Sequence, residues 1–78
     1  MKIDISQQNK KISIEFQQGN IVGKYKIDKA DYFLAAIDRF INKRKVDITV
    51  LKKADLNFVG TGILTERIIR AIMKGLNF

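Results

Sequence analysis

The segment richest in potential chemistry runs Asn57-Phe58-Val59-Gly60-Thr61-Gly62-Ile63-Leu64-Thr65-Glu66-Arg67-Ile68. It reads as a strand, a glycine turn and the start of a helix. Two glycines let a backbone turn tightly, and free N–H groups at a helix N-terminus can hold an anion. Gly60, Gly62, Thr65 and Arg67 are therefore the candidate glycine-loop residues. A lone Gly-x-Gly is a weak phosphate signal, and a tight strand-to-helix turn is the plainer reading of the same residues. Asp4-Ile5-Ser6 places a carboxylate and a hydroxyl near the N-terminus. Asp31, Asp38, Asp47, Asp55 and Glu66 form no evident catalytic pair. Asp31 and Asp38 lie about two helical turns apart on one polar arc, as a solvated face would place them.

Missing residue types exclude several chemistries. The 78 residues contain no histidine, cysteine, proline or tryptophan. Ser-His-Asp and Cys-His triads are impossible, and so is a typical structural zinc site. No catalytic residue and no metal site is expected. Without cysteine no disulfide can reinforce a small core, and a chain of this size buries roughly 60–65% of its unfolded surface. An apolar content of 46% is that of a globular protein, and the length allows one domain, residues 1–78. No apolar run approaches the ~20 residues that span a bilayer, and Met1-Lys2-Ile3-Asp4 carries no signal-peptide core. A cytoplasmic protein with no membrane partner is the expectation. Fifteen Lys and Arg against eight Asp and Glu give a net charge of +7. That charge suits nucleic acid nearby and suits solubility equally.

These residues must be positioned by regular elements. Residues 2–6 carry Ile3 and Ile5 between polar neighbours, and Lys11-Ile12-Ser13-Ile14-Glu15-Phe16 alternates cleanly. A period of two predicts strands with one buried face. Gln17-Gln18-Gly19-Asn20 predicts a hairpin turn, because Gly and Asn best tolerate positive φ. Residues 21–27 form the third strand, with Ile21, Tyr25 and Ile27 on one face and Val22, Lys24 and Lys26 on the other. Asp28 is the predicted N-cap of a helix reaching about Arg44. Its apolar positions Ala30, Phe33, Leu34, Ala36, Ile37, Phe40 and Ile41 cover an arc of roughly 160°. Lys43-Arg44-Lys45 closes it, where cations offset the C-terminal dipole.

Residues 46–54 read either as a strand through Val50 or as a helical turn from Thr49 through Lys53, with the turn preferred. A fourth strand is predicted at Asp55–Val59 and a second helix from about Leu64 to Lys74. The order is βββαβα: an α/β fold, with a mixed four-stranded sheet and two helices packed on it.

The second helix stands out. Leu64, Ile68, Ile69, Ala71, Ile72, Met73 and Leu76 fill roughly 200°, about twice what resting on one sheet face requires. Helix one covers part of that surface, and a second chain is the economical cover for the rest.

The segment from Gly60 onward resembles the "GPGSFTGLRIG…AKGLAF" signature of the TsaB/YeaZ family. Gly60, Gly62, Thr65, Arg67, Ile68, Ala71, Lys74, Gly75, Leu76 and Phe78 match it, with one deletion between Gly62 and Arg67. Met1-Lys2-Ile3-Asp4-Ile5-Ser6 is similar to a shortened form of the family's "MKILAIDTS" start. Thr61 replaces the loop proline, and the loop serine is absent. The chain stops at Phe78, where a family member continues into a fifth strand and a second domain.

The resemblance implies the N-terminal half of an actin-like (ribonuclease H-like) domain. It also implies a non-enzymatic role, as partner of the tRNA threonylcarbamoyltransferase TsaD. A TsaD-like subunit would bind through the two helices, with Phe33, Ile37, Phe40, Ile41, Ile68, Ile69, Ile72 and Met73 as the candidate partner-binding residues. Some of these must face the sheet instead. The complex would serve threonylcarbamoyladenosine modification at tRNA position 37. ATP, metal and acyl intermediate would belong to the partner, so this chain needs no cofactor. A homodimer is expected where the partner is absent, and an indirect tRNA contact through Lys24 and Lys26 on the uncovered sheet face. Asp4 and Ser6 resemble the phosphate-positioning residues of actin-like ATPases, but the loop glycine is missing. The alternative function is a small basic RNA-binding homodimeric module.

Overall fold

The computed structural model describes residues 1–76, so Phe78 of the tail motif lies outside the described residues. The alternating patterns become β1 (Lys2–Gln8), β2 (Lys11–Gln18), β3 (Ile21–Ile27) and β4 (Asp55–Val59), with α1 (Phe33–Arg44) and α2 (Ile63–Gly75) between and after them. The four strands form one mixed sheet in the order β3-β2-β1-β4. β1 and β2 pair antiparallel, as do β2 and β3, while β1 and β4 run parallel. The βββαβα order and mixed sheet match the expectation. Gly19 holds φ +59° in the β2–β3 hairpin, a conformation glycine adopts without strain.

Burial follows the period of two. Ile3, Ile5, Ile12, Ile14 and Phe16 are buried on one sheet face, under the helices. Phe16 is the hub of that core. Its ring stacks on Phe40 at 4.9 Å, tilts against Phe33 at 6.2 Å and meets Tyr25 edge-on at 5.8 Å. Gly23 lies opposite Phe16 on β3, where its missing side chain makes room for Phe40. Ala30, Ala36, Ile37, Leu51 and Ile69 complete the buried set.

Two local expectations are corrected. Asp28 does not cap α1: its carboxylate pairs with the Lys11 ammonium on β2. A 3₁₀ turn, Ala30–Tyr32, intervenes, and the α1 N-terminus carries no side-chain cap. Residues Ile48–Lys53 do form a helical turn rather than a strand, of the 3₁₀ kind, but Asp47 caps it instead of Thr49. The Thr49 N–H donates to the Asp47 carboxylate at 3.0 Å. That hydrogen bond holds the Asp47 pKa below the ordinary carboxylate value. A depressed folded pKa stabilises the fold at pH values above the ordinary one, and the contribution is lost as pH falls through the depressed value. An NMR titration is expected to show Asp47 with its midpoint below that of a free aspartate, and Asp47→Asn to remove this part of the acid sensitivity.

Candidate functional site

The helices lie side by side over one sheet face, and their flanks can be assigned from their neighbours. Arg70 of α2 sits 4.9 Å above the Phe58 ring on β4, held by two hydrogen bonds to the Glu66 carboxylate at 2.9 and 3.1 Å. That flank of α2 faces the β4 edge. Ala35 and Arg39 of α1 border a shallow depression shared with Tyr25, Lys26 and Ile27, so that flank faces β3. At 3.6 residues per turn, the opposite flanks meet between the helices. They carry Leu34 and Ile41 from α1, and Leu64, Ile68 and Ile72 from α2.

This placement divides the predicted partner-binding residues. Phe33, Ile37, Phe40 and Ile69 are buried against the sheet, so they are corrected from partner surface to core. Their positions lie at the centre of each apolar arc, which the sheet occupies first. Met73 is half-buried under α2 on its β4 side. Ile41, Ile68 and Ile72, on the facing flanks, are half-buried and pack against the core. The structure adds two residues there. Leu34 is 47% and Leu64 71% exposed, each on the same flank as those residues by helical period. Both stood in the apolar arcs; their position at the arc edge was the signal for an outward role. Of the apolar residues of α2, Ile69 alone is fully buried, so the breadth of its apolar surface persists in the fold.

The glycine loop closes the other end of β4. Gly60 takes φ +66°, and Gly62 stands at the N-cap of α2. The Gly62 N–H donates to the Gln7 side-chain oxygen at 3.2 Å, from the end of β1. One of the N–H groups that could hold an anion is thus already satisfied within the fold. Thr65 lies half-buried in the first turn of α2, and Arg67 is exposed one residue beyond Glu66. The loop works as a strand-to-helix turn. Val59 and Ile63 flank it as exposed apolar residues.

No family model matches this chain, and neither does a curated protein or a solved structure. Function must therefore be read from geometry and sequence.

The sheet face away from the helices is open and polar. Its cross-strand rows run Lys26-Ser13-Ser6-Val59 and Lys24-Glu15-Asp4-Asn57. A shallow depression of about 510 Å³ lies over them. Asn57 donates to the Asp4 carboxylate at 3.2 Å, and Glu15 sits directly across from Asp4. Lys24 and Lys26 are exposed here, on the face where the sequence placed them. Asp4 and Ser6 share this face, while the glycine loop is tied to Gln7 at its margin. Among the described residues, no group of three His, Cys, Asp or Glu could hold a metal ion. Among them, too, no helix is long and apolar enough to cross a membrane.

Proposed function

We propose that this chain is a non-catalytic subunit resembling TsaB, which docks a TsaD-like enzyme through its helix layer. Its role is to complete the complex that adds threonylcarbamoyl to adenosine 37 of tRNA. The observation that carries the reading is the exposure of Leu34 and Leu64 beside the half-buried Ile41, Ile68 and Ile72 on the facing flanks of α1 and α2. An apolar strip of that kind on a small protein suits burial against another helical surface. The βββαβα order with a mixed sheet supports the half-domain of actin-like type that the resemblance implies. The tail motif from Gly60 to Leu76 supports the family, and it spans a glycine turn followed by α2. On this reading ATP and metal belong to the partner, and this chain contributes a surface.

Leu64→Asp tests it. The side chain is largely outside the core, so the fold is expected to hold within about 0.5 kcal/mol. Co-purification with a TsaD-like enzyme from the same organism is expected for the native chain and lost in the variant. Absence of the native complex, or its survival with an aspartate at position 64, overturns the proposal. Leu34→Asp on the facing helix is expected to behave alike.

A further inference from the structure

Six of the fifteen basic residues gather at one end of the sheet. β1 and β4 run parallel, and the Asp55 N–H donates to the Met1 carbonyl at 2.8 Å, so both strands begin at the same end. β3 also runs parallel to β1, since each pairs antiparallel with β2. The chain leaves β3 at the far end, returns along α1 and re-enters the sheet at β4. The C-terminus of α1, the 3₁₀ turn Ile48–Lys53 and the start of β1 therefore share one pole. Lys43, Arg44 and Lys45 stand on it, with Lys52, Lys53 and Lys2. All six are exposed, and among the described residues none is in a salt bridge. Among the described residues, the carboxylates at this pole are Asp47 and Asp55. Asp47 keeps its charge while accepting from the Thr49 N–H, so these six cations face two carboxylates.

Helix electrostatics account for only part of this. A C-terminal dipole favours Lys43 and Arg44 in the last turn of α1, and its effect fades beyond that turn. Lys45 already lies past the helix, at φ +53°. Lys52 and Lys53 belong to a separate short turn. Within each run, 43–45 and 52–53, the like charges are sequence neighbours, closer than the roughly 10 Å over which charges act at 0.1 M salt. Such a field attracts polyanions. The sheet face is different: Lys24 and Lys26 share it with Asp4 and Glu15, which cancel them.

We infer that this pole is a binding site for the phosphate backbone of a nucleic acid. It reads charge and not sequence: among the described residues, Phe16 and Phe40 on this side of the core are buried and offer no stacking platform. A membrane surface fits less well. Interfacial binding needs an apolar face that enters the headgroups. Here Leu51 is buried, Val46 packs on the core, and Ile48 is the exposed apolar side chain of the 3₁₀ turn, at 45%. The site is independent of the helix flanks, and the isolated chain suffices to test it.

The probe is a fluorescein-labelled polyuridine oligonucleotide, titrated by anisotropy between about 50 and 200 mM salt. The native chain is expected to bind with a steep salt slope. Lys43→Gln, Lys45→Gln, Lys52→Gln and Lys53→Gln combined should weaken binding at least about tenfold at low salt. The slope should flatten by roughly 0.7 for each phosphate no longer neutralised. Lys24→Gln with Lys26→Gln on the sheet face should change little. All six positions are exposed, and circular dichroism checks that both variants fold. Vesicles of phosphatidylserine and phosphatidylcholine form the competing arm. No binding by the native chain overturns the inference. So does an unchanged pole variant, an equal loss in the sheet-face variant, or capture by vesicles in preference to the oligonucleotide.

Discussion

Phe40→Ala is expected to destabilise the fold by about 3–5 kcal/mol, the usual cost of emptying a buried phenylalanine site. A domain of this length has a total stability of roughly 4–12 kcal/mol. The substitution therefore removes a large fraction of what holds the chain folded, and a weak version of this domain would be mostly unfolded. The reason is local. Phe40 has 0% exposure and stacks on Phe16 at an interplanar angle of 18°, and Phe16 also supports Phe33 and Tyr25. Collapse into the vacancy is hindered because β2 and β3 are fixed by their ladder on that side. Urea unfolding followed by circular dichroism measures the loss. The experiment also separates two roles for the same residue. A partner anchor truncated to alanine would leave the midpoint unmoved and weaken only the complex. An unchanged midpoint would therefore return Phe40 to the partner surface and contradict the core described above.

The comparison between Phe40 and Leu64 shows what a sequence of this kind discloses. Alternation in Ile12-Ile14-Phe16 has one structural solution, a strand with one covered face, and β2 has it. The bounds of β4 are equally legible, because Asp55–Val59 sits between a basic turn and a glycine. Helix arcs are less decisive. An apolar position on α1 or α2 can face the sheet, the neighbouring helix or a partner, and the 3.6-residue period does not distinguish these. Phe33 and Leu34 are adjacent in sequence, yet one is buried and the other half in solvent. What separates them is the direction from which the sheet approaches, a tertiary fact. Caps show the same limit. Asp28 has the right residue type before a helix, but Lys11 reaches it from the β2 start and a 3₁₀ turn displaces the helix by several residues. The basic pole was hidden for a related reason. Lys2 and Lys53 are far apart along the chain and meet only because β1 and β4 are parallel neighbours.

Gly23→Ala is the second large effect, and its sign runs against intuition. In a strand interior, alanine is ordinarily favoured over glycine by about 0.5–1 kcal/mol, because glycine loses more freedom on folding. Here a Cβ on residue 23 would lie 2.5 Å from Cδ1 and 2.9 Å from Cε1 of Phe40, and 3.0 Å from Cε2 of Tyr25. Carbon atoms in contact sit at about 3.5–4.0 Å, so one ring must move by roughly an ångström. Phe40 cannot slide freely, since its ring is stacked on the buried Phe16 at 4.9 Å. Tyr25 has more latitude, being only half-buried and edge-on to Phe16. Overpacking of this kind costs about 1–3 kcal/mol, more than the backbone gain. Each kcal/mol lowers Tm by about 4–8 °C in a domain this small, so a clear downward shift is expected by calorimetry. A double-mutant cycle with Phe40→Leu then locates the cause. Leucine at position 40 vacates the space that the new methyl group needs, so Gly23→Ala should cost less in that background. Coupling of that sign identifies the ring contact as the origin. Strict additivity, or a raised Tm in the single variant, would show that Gly23 is not there to admit Phe40.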